Sequence, residues 1–130
     1  MKRCWLGVGI LLVLLGLSLW VTAEMADIHE PLSVTVEEAG EAAQTGDWAR
    51  AETLATHARS LWYQNRPFTA WVADHAPMDE IDALFARLPV AARNGDGAEF
   101  ADLCARLSVL LHAMAEGHQA LWCNVLCPCK

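Results

Sequence analysis

Four residues near the C-terminus carry the donor types that zinc prefers: His118, Cys123, Cys127 and Cys129. Their spacing is H-x4-C-x3-C-x-C, which lacks the paired Cys-x2-Cys of a zinc finger. Incidental thiols in a frayed tail account for them as simply, so neither metal nor cofactor is assigned. Disulfide chemistry is the competing use. In an oxidising compartment Cys104 has a tail cysteine as partner, with Cys123 the candidate, and the bridge would staple the tail to the last helix. A Cys127–Cys129 bridge would close a tight, strained and redox-labile ring. Cys4 stands far from the other four at the start of the chain.

A second group, Asp74, His75, Asp79, Glu80 and Asp82, gathers around a helix break. Its chemical use would be a divalent cation or an acid–base pair. The plainer use, which we favour, is negative charge on a solvated helix start. His112 and Glu116 are four apart and can share a helix face near His118. They do not form His-Glu-x-x-His, so no zinc-hydrolase reading follows. The chain contains no phosphate loop, nucleophile elbow or dinucleotide fingerprint, and it is expected to be non-catalytic.

The segment that places all of these lies at the other end. Trp5 to Ala23 is nineteen residues without a charge. A helix of that length covers about 28 Å, near the hydrocarbon thickness of a bilayer. Lys2 and Arg3 precede it, and Glu24, Asp27 and Glu30 follow. A signal peptide with a cut after Val21-Thr22-Ala23 competes with an uncleaved anchor. The length of the run and its flanking Trp5 and Trp20 favour the anchor. The positive-inside bias then leaves residues 1–4 in the cytoplasm and the acidic domain after the span outside. Beyond the span sixteen acids face seven bases, a net of −9, which argues against nucleic acid and against a polybasic hold on lipid.

The rest of the chain is patterned for helix. Ile28, Leu32, Val36, Ala39 and Ala43 keep one face apolar, with Pro31 expected to bend a near-continuous helix. Trp48, Ala51, Leu54, Ala55, Ala58, Leu61 and Trp62 form a second stripe, expected to end near Asn65 because Pro67 follows. Phe68, Trp71 and Val72 give further turns, and Trp48, Trp62 and Trp71 are read as core. Ile81, Leu84, Phe85, Leu88, Ala91 and Ala92 mark a third helix, with a kink expected at Pro89. Phe100, Leu103, Cys104, Leu107, Leu110, Leu111 and Met114 mark the clearest helix of all.

The chain also echoes itself. Ala42-Ala43-Gln44-Thr45-Gly46-Asp47 matches Ala91-Ala92-Arg93-Asn94-Gly95-Asp96 at a period of 49 residues. Each copy reads helix, Gly-Asp turn, helix, so two antiparallel hairpins are expected to bury their apolar faces together. Gly46-Asp47-Trp48 with Ala51 and Ala58 is similar to the second helix of a tetratricopeptide repeat, without the full repeat length.

The order of Glu30-Pro31-Leu32, Gly46-Asp47-Trp48, Glu80-Ile81-Asp82, Gly95-Asp96 with Phe100, and Asn124-Val125-Leu126 resembles a family of small membrane-anchored bacterial proteins. It is a domain of unknown function, found mainly in Firmicutes-type bacteria, and the resemblance covers roughly residues 2–126. It implies a single-pass envelope protein of helical hairpins and supplies no catalytic residues. The expectation is therefore an all-α chain: a transmembrane helix at 5–23, an extracytoplasmic helical domain at 24–126 and a Cys-rich tail at 127–130. Its expected partners are the lipid bilayer and another envelope protein. A metal- or redox-responsive module using His118, Cys104 and the tail cysteines is the alternative.

Overall fold

A computed structural model describes residues 2–73 and 75–116. Four helices follow one another: α1 (Lys2–Gln44), α2 (Trp48–Val72), α3 (His75–Asn94) and α4 (Gly97–Glu116). There is no strand among the described residues. Each helix packs on its chain neighbours, and α1 packs most extensively on α4, which closes the four into a ring. Short connections make successive helices antiparallel, so α1–α2 and α3–α4 are the two hairpins the internal echo predicts.

The two Gly-Asp turns are built alike, and each closes one helix while opening the next. Gly46 and Gly95 have φ of 80° and 67°, the left-handed conformation that ends a helix. Gly46 N–H bonds Ala43 O at 3.1 Å and Asp47 N–H bonds Ala42 O at 2.9 Å. The second turn repeats this, with Gly95 N–H on Ala92 O at 3.0 Å and Asp96 N–H on Ala91 O at 3.2 Å. The Asp carboxylates then cap the next helices, accepting from Arg50 N–H at 3.2 Å and Glu99 N–H at 2.9 Å. Gly95→Ala is expected to cost about 1–2 kcal/mol through left-handed strain alone, read as a lower midpoint in thermal unfolding.

The predicted stripes form the core. Leu32, Val36, Ala39 and Ala43 of α1 meet Ala51, Ala55, Ala58 and Trp62 of α2, with Phe85 and Leu88 of α3 and Phe100, Leu103, Leu107 and Leu111 of α4. Small residues bring α1 and α4 close. A Cβ on Gly40 would stand 3.0 Å from the Cβ of Cys104, and one on Gly97 would stand 3.1 Å from the Ala43 carbonyl oxygen.

The expectation that Pro67 ends the second helix is corrected, while α1 runs through Pro31 as expected. Pro31, Pro67 and Pro89 all lie inside continuous helices. Each proline is on an exposed face, and for Pro31 and Pro67 the carbonyl stranded one turn earlier belongs to an exposed residue, Asp27 and Tyr63 respectively. Consequently α2 ends at Val72 and not near Asn65. Trp71 is not core: it is 80% exposed, whereas Trp62 is fully buried and Trp48 half-buried.

The helix α1 changes character along its length. From Trp5 to Trp20 every side chain is exposed, and from Met25 onward one face is buried by the bundle. It is the one helix among the described residues long and apolar enough to cross a membrane.

Candidate functional site

The densest polar constellation joins α1, α2 and α3. Trp62 and Arg66 stand one turn apart on α2 and converge on Asp82 of α3. Trp62 Nε1 donates to Asp82 Oδ1 at 2.7 Å. Arg66 donates to Oδ2 through Nε at 2.9 Å and through Nη2 at 2.7 Å. Asp79, one turn before Asp82, stands 3.9 Å from Arg66. The Asp82 hydrogen bond and charge hold the Arg66 guanidinium above its ordinary pKa. On the far side His29 of α1 meets the Trp62 ring edge-on, centroids 6.0 Å apart. His29 is fully buried and its Nδ1–H donates to Met25 O at 2.8 Å, which fixes the tautomer.

Both Asp82 oxygens accept from these donors, so this carboxylate tethers the buried indole of α2 to α3. That settles the role of one member of the predicted acidic group. Asp79 assists Arg66, while Glu80 and His75 are exposed and Asp74 lies outside the described residues. The helix begins at His75, two residues earlier than Pro77, so its first turn holds no acid and these carboxylates sit beyond the reach of its N-terminal dipole.

Elsewhere polar links join helices across the ring. Ser108 of α4 donates to Glu37 of α1. Arg87–Glu99 at 2.9 Å ties α3 to α4, and Arg50–Glu38 at 3.4 Å ties α2 to α1. These two pairs are about half-exposed and worth about 0–1 kcal/mol each. His112 and Glu116 share an exposed face at 3.3 Å, as their spacing predicts. No group of three or more His, Cys, Asp or Glu is placed to hold a metal among the described residues. The predicted ligands His118, Cys123, Cys127 and Cys129 lie outside the described residues, as does the Cys123 half of the predicted disulfide.

Cys104 is buried where α4 crosses Gly40, and burial pushes its thiol up to about 12. An unfolded thiol titrates near about 8.5. Above that pH the unfolded chain sheds a proton that the folded chain keeps, so this contribution is complete below about 8.5 and lost as pH rises toward 12. The limiting slope is about 1.4 kcal/mol per pH unit. The stability gap between the parent and Cys104→Ala is therefore expected to shrink from about pH 8 to 10.5 in denaturant titrations; a constant gap contradicts the buried thiol.

The bundle also has an opening. Contact between α2 and α3 is the least extensive of the four neighbouring pairs. A cleft of about 260 Å³ lies there, with buried Phe85, Leu88 and Phe100 as its floor and Pro89, Ala92, Glu52, Arg59 and Arg93 around them. Such a volume is below the about 300–1,000 Å³ of a small-molecule pocket.

Fold and site together define a class: an all-α protein in which one helix is both an apolar rod and a wall of a four-helix bundle. Residues 19–125 match the model of the family described as Domain of unknown function (DUF4363), and the chain belongs to that family. The matched segment begins within the apolar run and takes in the whole described bundle. Searches of curated proteins and of solved structures return no match.

Proposed function

We propose that this chain is a single-pass membrane protein whose bundle stands outside the cytoplasm and docks another envelope protein, without catalysis of its own. The observation that carries the reading is the continuity of α1. The same unbroken helix supplies a charge-free rod at 5–20, all of it exposed, and the α1 wall of the core from Met25. A cut after Ala23 would remove Trp20 and Val21, which pack on Phe68 and on the core. This supports an anchor over a cleaved signal, and Lys2-Arg3 before the rod supports an inside N-terminus.

The α2–α3 cleft is the docking site in this reading. Its lining carries Arg59 and Arg93 against one acid, Glu52, a local excess of positive charge on a domain that is otherwise strongly acidic. A partner segment with an apolar side chain beside a carboxylate fits both features. A photo-crosslinking residue in place of Thr56, on the cleft wall, tests it in cells. The expected result is one discrete adduct, weakened at least about tenfold by Arg59→Glu with Arg93→Glu. Equal adducts from a probe at Arg106, on α4, or no response to charge reversal, would overturn the site.

A further inference from the structure

The base of the bundle holds an aromatic residue that the core does not explain. Trp71, on the last turn of α2, is 80% exposed, more than Trp20 at 54% or Trp5 at 76%. It does not arise from a frayed end, because Ala73 N–H still bonds Thr69 O at 2.8 Å. Helix phase holds it outward: nine residues at about 100° each turn it roughly 180° from buried Trp62.

Its height is fixed by a ring contact. Trp20 of α1 and Phe68 of α2 meet edge to face with centroids 6.3 Å apart. The two rings are therefore level, at the outer end of the apolar rod. Because α2 runs antiparallel to α1, Trp71 lies three residues further toward the rod than Phe68, about 4.5 Å. Measured from Ala23, where the uncharged run ends, its depth is about 9 Å. The apolar face of an interfacial helix buries about 5–10 Å into the boundary between headgroups and acyl chains, which is the same range.

We propose that Trp71 inserts into the outer boundary between headgroups and acyl chains of the same bilayer that α1 crosses, so that the bundle rests on the membrane through the end of α2 with Trp20 beside it. The occupant of this surface is lipid. Continuity with the rod brings a bilayer to that level whatever else binds the domain, and a tryptophan with an exposed face and an N–H suits the interface. The attachment is aromatic and not electrostatic. The one nearby cation of α2, Arg66, is engaged by Asp82 and Asp79, and the domain is acidic overall. Two contacts, the span and Trp71, fix the tilt of the bundle and the direction in which the α2–α3 cleft faces.

This inference rests on the anchoring reading, and the test separates the two. The full chain, labelled with 5-fluorotryptophan, is placed in phosphatidylcholine nanodiscs containing a headgroup spin-labelled lipid. Fluorine resonances are assigned by Trp5→Phe, Trp62→Phe and Trp71→Phe. The Trp71 signal is expected to broaden at least about twofold, like Trp5, and to be shielded from a water-soluble relaxation agent, while the Trp62 signal stays narrow. Added phosphatidylglycerol is expected to change nothing. A broadened Trp5 with a narrow, solvent-accessible Trp71 overturns the insertion and leaves the anchor intact; a narrow Trp5 overturns the anchor itself. Shielding of Trp71 without lipid broadening assigns the surface to a second protein chain and overturns the proposal, and broadening that needs anionic lipid overturns its aromatic basis.

Discussion

Trp62→Ala is expected to lower the unfolding free energy by about 3–5 kcal/mol, the cost of emptying a large aromatic site in a packed core. Of the residues in the core, Trp62 has the largest fully buried side chain. Its loss also removes the edge contact to His29 and the N–H that Asp82 accepts. Domains of this size have about 5–15 kcal/mol in all, so the variant is expected to be unfolded in a sizeable fraction at 37 °C or to melt far below the parent. Trp62→Phe keeps most of the apolar volume and loses only the hydrogen bond, for about 1–2 kcal/mol. Tyr63→Ala, next in sequence but 44% exposed with Arg59 over its ring, is the control and is expected to cost under about 1 kcal/mol. Denaturant titrations of the full chain in mild detergent rank the three. Equal losses at Trp62 and Tyr63 would show that the α1–α2–α3 junction is not the centre of the fold.

The second large effect lies at the other end of the molecule and leaves the bundle alone. Leu12→Arg with Leu15→Arg places two cations on one side of the apolar rod, where both leucines are exposed in the structure. Near the middle of a spanning helix each costs about 2.5–3.5 kcal/mol. The pair is expected to remove most of the protein from the alkali-resistant membrane fraction. The melting transition of the bundle should stay within about 0.5 kcal/mol of the parent, because neither position touches the core. Retention in the membrane fraction despite both arginines would mean that the bundle itself, and not the rod, holds the lipid.

The sequence carried the local grammar of this fold well and its long-range consequences poorly. The repeat of Gly46-Asp47 at Gly95-Asp96 encodes both turns down to the same paired hydrogen bonds, because left-handed glycine and an Asp cap are local requirements. The apolar stripes were legible for the same reason. The family resemblance, read over roughly 2–126, agrees with the match over 19–125. Proline misled the reading of α2. Its local penalty is real, yet Pro67 sits on the water-facing side of a helix held by tertiary packing. Allowing a break there let Trp71 be counted as core; an unbroken helix turns it to the opposite face.

The junction was hidden for a different reason. His29 and Ser33 lie on the α1 stripe with Met25, Leu32 and Val36, at helical spacing. Polar residues on an apolar face read as interruptions of it, and nothing in their types shows that the helix's own carbonyls satisfy Nδ1 of one and Oγ of the other. The pairing of Asp82 with Trp62, twenty residues apart, depends on how two helices cross. The cleft walled by Arg59 and Arg93 depends on the same crossing, and no motif announces it.

The central claim is that α1 crosses the bilayer once and continues outside as the wall of the bundle. Its most direct measurement is labelling of Ser60→Cys, at an exposed position on α2, with a membrane-impermeant maleimide on intact cells expressing the full chain. The account predicts an extra label, above that of the parent chain, on intact cells, carried by protein that stays in the alkali-washed membrane pellet. An extra label only after permeabilisation, or labelled protein in the soluble fraction, would contradict it.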